Sequence, residues 1–594
     1  MPAVATVQKP HVVIGVGAAH PKVRLMTSGT TEPAAPVDEP DRLDLAQPED
    51  TATRADWEAE TAKVLRKTKR LGDDDADELV WSKLTRTTLD GIAVTPLGTP
   101  DLLDDLATAG RPTRVGAWDI RAHHGAGEAK LVNEAALVDL EGGVTSLWLG
   151  VDADTDYAAL LDQVLLDLAP VVLDAPAEAQ SAAATRFVEY LAGREVHPDT
   201  NLGVDASSAT PEIADTALKA GVVAFVVDAT RVHDRGASDA QELAYSLLVA
   251  ARYLRSLTDA GVALADAAGL VEFRYAATGE QFPTIAKLRA ARRLWARMLE
   301  LSGAELVDQR QHAVTSRPMM STFDPWVNML RTTVAAFAAG VGGADAVTVL
   351  PFDSALGRPD GFARRIARNT SHLLIEESHV AKVADPAGGS YAVEKLTDDL
   401  AVTAWRIFGE LEEGADLDAL IDEVVAAREK QVATRKRPLT GVSEFPNLGE
   451  SLPERVPDGT WDDVRPYGAS FEALRLAPAA RPVFLATLGT IAQHTARATF
   501  ASNLFAAGGV AVEVAGPTDG VDALLAAYAG QPVVCLAGSD AAYAEWGAEA
   551  ATALRGAGAT HVIIAGKAAD YADDACSMGV DALAFLGRTR EALA

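Results

Sequence analysis

Two arginines at the ends of apolar runs are well equipped for chemistry in this sequence: Arg274, inside Phe273–Tyr275, and Arg317, just past Thr315-Ser316. A planar guanidinium can hold a carboxylate through two parallel N–H···O bonds, so either residue could clamp an acidic substrate. A strand-end arginine paired with a carboxylate inside the fold is the plainer reading of the same positions. Arg331 and Arg368 fall within helical patterns and read as structural salt-bridge partners. The two cysteines, Cys535 and Cys576, sit in apolar, Ala/Gly-rich surroundings. They read as buried reduced thiols, because no zinc-type Cys/His spacing occurs and two cysteines make no disulfide framework. The glycine-rich pieces Gly340-Val341-Gly342-Gly343, Gly388-Gly389 and Gly508-Gly509 do not follow a strand with dinucleotide-binding spacing, so helix-end and turn roles are expected.

These residues need a scaffold. A chain of 594 residues predicts two to four domains. A net charge of −31 disfavours nucleic acid as a partner. The basic clusters Lys63–Arg70 and Arg289–Arg297 interleave with apolar residues at helical spacing, which predicts solvated helix faces. No apolar run reaches the roughly 18–20 residues of a membrane helix. Val12–Ala19 is short and preceded only by Lys9, so no secretory signal is expected and the cytoplasm is the expected location.

Residues 1–54 lack periodicity and read as a disordered or extended arm, and 55–90 as a helical segment in which Glu78–Leu84 continues the helix. From 91 to 400, β-prone runs at 113–118, 146–151, 170–174, 201–205, 222–228, 270–275, 312–317 and 346–350 alternate with amphipathic stretches such as Pro283–Leu301 and Val327–Ala339. That alternation predicts a (β/α)8 barrel, and a doubly wound sheet would give the same pattern. A helical linker follows over 401–480, with an irregular stretch at Pro438–Pro466. Strands near 482–488, 510–515, 532–537, 560–565 and 580–586 predict a flavodoxin-like domain over 481–594.

Four strings carry a resemblance. They are Gly236–Ala244, ending Gln-Glu-Leu-Ala; Phe273–Glu300, opening Phe-Arg-Tyr-Ala-Ala-Thr-Gly-Glu; Phe362–Thr370 (Phe-Ala-Arg-Arg-Ile-Ala-Arg-Asn-Thr); and Asp385–Glu394 (Asp-Pro-Ala-Gly-Gly-Ser-Tyr-Ala-Val-Glu). Together they resemble the cobalamin-dependent acyl-CoA mutases, in the family's order, and with the C-terminal domain the resemblance covers nearly everything after residue 55. It implies a methylmalonyl-CoA mutase-like fold: a TIM barrel threaded along its axis by coenzyme A, and a C-terminal domain that clasps cobalamin against the barrel mouth.

The resemblance fails where the chemistry should be. Catalytic chains carry Asp-x-His-x-x-Gly, the His ligating cobalt and the Asp fixing its tautomer. Within Thr490–Phe500, His494 falls at the ligand, but Ala492 replaces the Asp and Arg497 the Gly, a long cation in the cofactor-tail channel. A surface or helix-start histidine is therefore expected at 494. Ser-x-Leu has become Val534-Cys535-Leu536, and Gly-Gly has become Ala565-Gly566. The Tyr and Arg-Pro-Trp string of catalytic chains survives only as Ala117-Trp118-Asp119-Ile120-Arg121, with no tyrosine before Tyr157. Thr230-Arg231 stands at the Tyr-His pair whose His polarises the thioester carbonyl, and a two-residue slip would bring in His233. The resemblance thus implies no catalytic, cofactor-binding or metal residue in this chain. It implies instead the small subunit of a heterodimer whose large chain binds adenosylcobalamin and interconverts (R)-methylmalonyl-CoA and succinyl-CoA. A competent mutase of another acyl-CoA and a non-enzymatic chaperone are the competing readings, the latter weakened by the lack of a P-loop signature.

Overall fold

The computed structural model describes residues 51–104, 106 and 114–594. Residues 1–50 of the predicted arm and residue 113 lie outside the described residues. Met1–Val80 and Trp81–Ala594 are separate compact units. In the first, helix Arg54–Lys67 opens on a capping box in which Thr53 and Asp56 bond each other's backbone N–H. The predicted helix is interrupted: Lys69 takes a left-handed φ of 57°, Gly72 and three successive aspartates form a turn, and helical structure resumes with a 3-10 turn, Asp77–Leu79, and the short helix Val80–Leu84, within the predicted Glu78–Leu84. Arg66 ties that turn back through Asp77 at 2.7 Å.

In the second unit eight parallel strands close a barrel: β1 (Asp119–His124), β2 (Ser146–Gly150), β3 (Val171–Asp174), β4 (Asn201–Asp205), β5 (Val223–Asp228), β6 (Val271–Ala277), β7 (Arg310–Thr315) and β8 (Ala346–Thr348), β8 pairing back onto β1. This is the predicted TIM barrel, and closure decides against the open doubly wound sheet. Two strand positions need correction. The first strand begins six residues after the predicted 113–118, because Trp118 is instead buried with its indole N–H 3.3 Å from Ser371 Oγ. The seventh begins two residues before 312.

β6 illustrates how sequence sets the two faces. Phe273 and Tyr275 point outward, Phe273 meeting Trp295 of helix Gln281–Leu301 edge-on at 4.9 Å, while Glu272 and Arg274 point to the axis. That helix is not a solvated face at Arg289–Arg297, contrary to expectation. Arg289, Arg292 and Arg293 are buried, and only Arg297 reaches solvent. Helix Tyr391–Glu412 covers it, and Glu394 takes ion pairs from both Arg289 and Arg293.

The C-terminal sheet contains β9 (Val483–Thr487), β10 (Val512–Val514), β11 (Val533–Ala537), β12 (His561–Ala565) and β13 (Asp574–Cys576), all parallel in the order β10-β9-β11-β12-β13. That is the flavodoxin-like winding, with a reversal of strand order between β9 and β11. The predicted last strand at 580–586 is helical, within Ala582–Leu593, because Asp581 caps it through the Ala584 N–H; the edge strand is Asp574–Cys576. Glycines 342 and 508 cap the helices before them, and Gly389 turns with a φ of 77° before helix Tyr391–Glu412.

A hairpin, Arg86–Thr87 with Ala93–Val94, carries Asp90 at its turn. Burial, followed by the nearby Asp239 charge, pushes the Asp90 carboxyl up to about 6. The folded chain therefore holds this proton more tightly than the unfolded chain does. The resulting stability is fully present below about pH 4 and is lost as pH rises through about 6. Asp90→Asn should gain thermal midpoint over the wild type between pH 5 and pH 7.5, as read by calorimetry across that series, and a gap that is constant with pH would contradict the assignment.

Candidate functional site

Two places in this fold could hold ligands: the barrel axis, and the crevice outside the carboxyl ends of the C-terminal strands where their order reverses.

The axis is crossed by side chains from opposite walls. Arg121 on β1 donates from Nη1 to both carboxylate oxygens of Glu272 on β6, at 3.0 and 2.9 Å, and from Nε to Ser146 Oγ at 3.1 Å. One layer further along, Arg274 of β6 lies 4.0 Å over the indole of Trp148 on β2, four strands away around the barrel. Its Nη1 donates to Asp228 at 2.8 Å and its Nε to His312 Nδ1 at 3.2 Å. Burial, followed by the charges of Arg121 and Arg274, holds His312 well below its ordinary pKa. It is therefore neutral, with Nδ1 accepting from Arg274 and Nε2–H donating to Thr348 Oγ1 at 2.8 Å. His123 completes the layer against Trp148, with ring centroids 4.3 Å apart. Burial depresses its imidazole in spite of Asp174 at 3.6 Å.

Arg274 is thus engaged by a carboxylate, a histidine and an indole. Arg317 faces Asp234 at 3.4 Å, and burial raises that carboxyl to about 6. Arg368 pairs with Asp139 at 2.6 Å. Arg331, expected to form a salt bridge, instead donates to Ser321 Oγ, Asn328 Oδ1 and the Thr440 carbonyl, a polar junction at the start of helix Pro325–Val341.

His233 is buried, with Nε2 2.7 Å from Ser316 Oγ and Nδ1 3.3 Å from Glu242. Glu242 also accepts from Lys287 Nζ and from the Ala276 N–H, each at 2.7 Å, and Lys287 reaches Asp239 at 2.8 Å. Arg231 pairs with Asp205.

In the crevice, helix Ile491–Ala507 leaves β9 with Thr490 and Gln493 forming a capping box. His494 lies in its first turn as expected, but it is not at the surface: it is 7% exposed, and its Nδ1 has no hydrogen-bond partner. Ala492 supplies no carboxylate. Arg497 crosses the switch point. It donates to the Gly538 carbonyl beyond β11 at 2.6 Å, pairs with Asp540 and lies 4.9 Å over the Tyr543 ring. The Tyr543 hydroxyl stands 2.8 Å from the Ala565 carbonyl and 3.0 Å from that of Leu536, and accepts the Gly538 N–H at 3.0 Å. Cys535 and Cys576 are buried free thiols; the adjacent Cys576, then burial, raise Cys535 well above its ordinary value, so it stays protonated. Among the described residues no group of three or more His, Cys, Asp or Glu could hold a metal, and no helix is long and apolar enough to cross a membrane.

Sequence reasoning missed Trp148, Glu272, His312, Asp540 and Tyr543. The alternation Val-Glu-Phe-Arg-Tyr at 271–275 was a usable signal, since polar residues two apart in a core strand point to a polar barrel interior.

A barrel followed by a flavodoxin-like domain is the arrangement that the resemblance to the acyl-CoA mutases implied. A family profile described as methylmalonyl-CoA mutase matches residues 220–460. The methylmalonyl-CoA mutase small subunit of Streptomyces virginiae is 44% identical over 92% of this chain and 98% of its own length. The probable methylmalonyl-CoA mutase small subunit of Mycobacterium tuberculosis is 40% identical over 89% and 94%, and the small subunit of Propionibacterium freudenreichii subsp. shermanii is 36% identical over 92% and 94%. The chain belongs to the methylmalonyl-CoA mutase family.

Two outcomes follow from the geometry. Arg121→Met should cost about 3–5 kcal/mol, because it strands the Glu272 charge in the barrel, whereas Arg121→Met with Glu272→Met should cost far less; urea unfolding of both variants checks this. Tyr543→Phe should cost about 1–3 kcal/mol by removing the hydroxyl that bridges Leu536, Gly538 and Ala565. A midpoint equal to wild type would contradict it.

Proposed function

We propose that this chain is the non-catalytic small subunit of a heterodimeric methylmalonyl-CoA mutase. In this reading a large chain of the same family binds adenosylcobalamin and acyl-CoA, and this chain supports it structurally. The complex interconverts (R)-methylmalonyl-CoA and succinyl-CoA in the cytoplasm.

One observation carries the reading. A coenzyme A arm threaded along the axis would need the space taken by Arg274 stacked on Trp148 and by Arg121 bound to Glu272. Displacing them would leave buried charges without partners, at a cost of several kcal/mol each. The crevice supports it independently, because the residues present do not fit cobalamin. Arg497 and Tyr543 take up the backbone groups at the switch point, Ala492 leaves His494 without an orienting carboxylate, and the His494 Nδ1 is already buried without a partner. The small-subunit character of relatives matched over nearly their whole length supports the pairing with a large chain.

The test is a titration of the lone chain with adenosylcobalamin while recording the corrinoid visible spectrum. The spectrum should remain that of free cofactor at a tenfold excess of protein, with no turnover of methylmalonyl-CoA. A stoichiometric base-off change would revive the competent mutase. Co-expression with a catalytic large chain should give a stable complex of roughly equal stoichiometry that persists through turnover.

A further inference from the structure

Helices Asp239–Asp259 and Gln281–Leu301 lie beneath Tyr391–Glu412, with Arg255 and Glu412 joined at 2.6 Å at the edge. The neighbouring run formed by Pro325–Val341, Gly361–His372 and Ala129–Glu141 shows large apolar side chains to solvent. Trp326 and Leu330, four residues apart, share one face; Phe362 and Leu373, eleven apart, share another; Leu131 and Val138, seven apart, share a third. These six are 46–68% exposed. Trp326, Phe352 and Phe362 form a continuous chain of rings, with centroids 4.8 and 6.2 Å apart, that joins the first two helices. Arg368, reaching Asp139, joins the second to the third. The six expose roughly 600 Å² of apolar area, the upper end of what a soluble monomer shows and most of the ~800 Å² per partner of a standard interface.

The charge on this surface is specific. The chain carries −31 overall; the central helix, Gly361–His372, holds Arg364, Arg365 and Arg368, is capped by Asp360, and runs on into Leu373–Glu377, where Glu376 and Glu377 are exposed. Arg364 and Arg368 turn inward to Asp139, and Arg365 stays exposed, 5.5 Å over the Phe362 ring.

We infer that this surface, centred on Leu330, Phe362, Arg365 and Leu373, receives the catalytic large chain, through a facing surface of aliphatic stripes with a carboxylate opposite Arg365. The inference rests on the small-subunit reading and adds to it where the two chains meet. Apolar stripes at helical spacing suit helix-on-helix packing between two barrels, and an exposed arginine on an acidic chain selects a partner with local negative charge at that point.

The test is the affinity of full-length chains for a co-purified catalytic mutase chain, measured by sedimentation velocity and surface-immobilised binding. Leu330→Glu with Leu373→Glu should weaken binding at least tenfold while circular dichroism and thermal midpoint stay at wild-type values, since both side chains already face water. Arg365→Glu should weaken it at least tenfold as a single change that leaves the apolar stripes intact. Leu218→Glu, an exposed leucine on helix Pro211–Ala220 away from this run, should leave it unchanged. Wild-type affinity in both the leucine and the arginine variants would overturn the surface while leaving the small-subunit reading in place. Failure of the wild-type chain to bind any large chain would remove that reading and the inference with it. A wild-type homodimer that Leu330→Glu dissolves would give the surface to a second copy and overturn the assignment.

Discussion

The structure depends on how the barrel accommodates charge at its centre. Two guanidinium groups, Arg121 and Arg274, stand on the axis, buried from water. Each is stable there only because partners from opposite walls surround it: Glu272 and Ser146 for the first, Asp228, neutral His312 and the face of Trp148 for the second. Buried charges are tolerated when paired and hydrogen-bonded, and are costly otherwise. The partners that make this interior stable meet the arginines across the barrel, from strands on opposite walls.

The four strings that mark the family are the wiring of that barrel. Glu242, in Gln-Glu-Leu-Ala, receives Lys287 and the Ala276 N–H, both from the Phe273–Glu300 string. Arg289, in the same string, pairs with Asp385 and Glu394 at the two ends of Asp-Pro-Ala-Gly-Gly-Ser-Tyr-Ala-Val-Glu. Arg368 of the remaining string reaches Asp139 beside β1, where Gly142 leaves it room: a Cβ on that glycine would come within 2.7 Å of the guanidinium. Each contact joins one sequence-distant barrel element to another through a buried charge. These contacts specify the barrel's packing and are separate from Arg121 and Arg274 at the axis and from Arg497 at the crevice.

Much of the architecture was legible because periodicity reports burial directly. Six of the eight barrel strands and four of the five C-terminal strands fall where apolar β-prone runs placed them. The failures have physical causes. The run ending at Trp118 is apolar because its indole packs under helix Gly361–His372, so it resembles a strand without being one. The stretch at 580–586 is apolar because it is the buried face of the last helix. Charged residues were read as solvated at Arg289–Arg297, since sequence cannot reveal that a second helix would cover them and bring Glu394. Arg497 was legible as a residue type out of place. Its partners Asp540 and Tyr543 were not, because they come from beyond the next strand and only the winding of the sheet unites them.

Isothermal titration of the lone chain with coenzyme A and succinyl-CoA tests the closed axis most directly, because it asks whether the barrel admits the arm at all, independently of cobalamin and of any partner. The account predicts no saturable heat up to millimolar ligand. Stoichiometric binding with micromolar affinity, abolished by substitutions lining the axis, would contradict it.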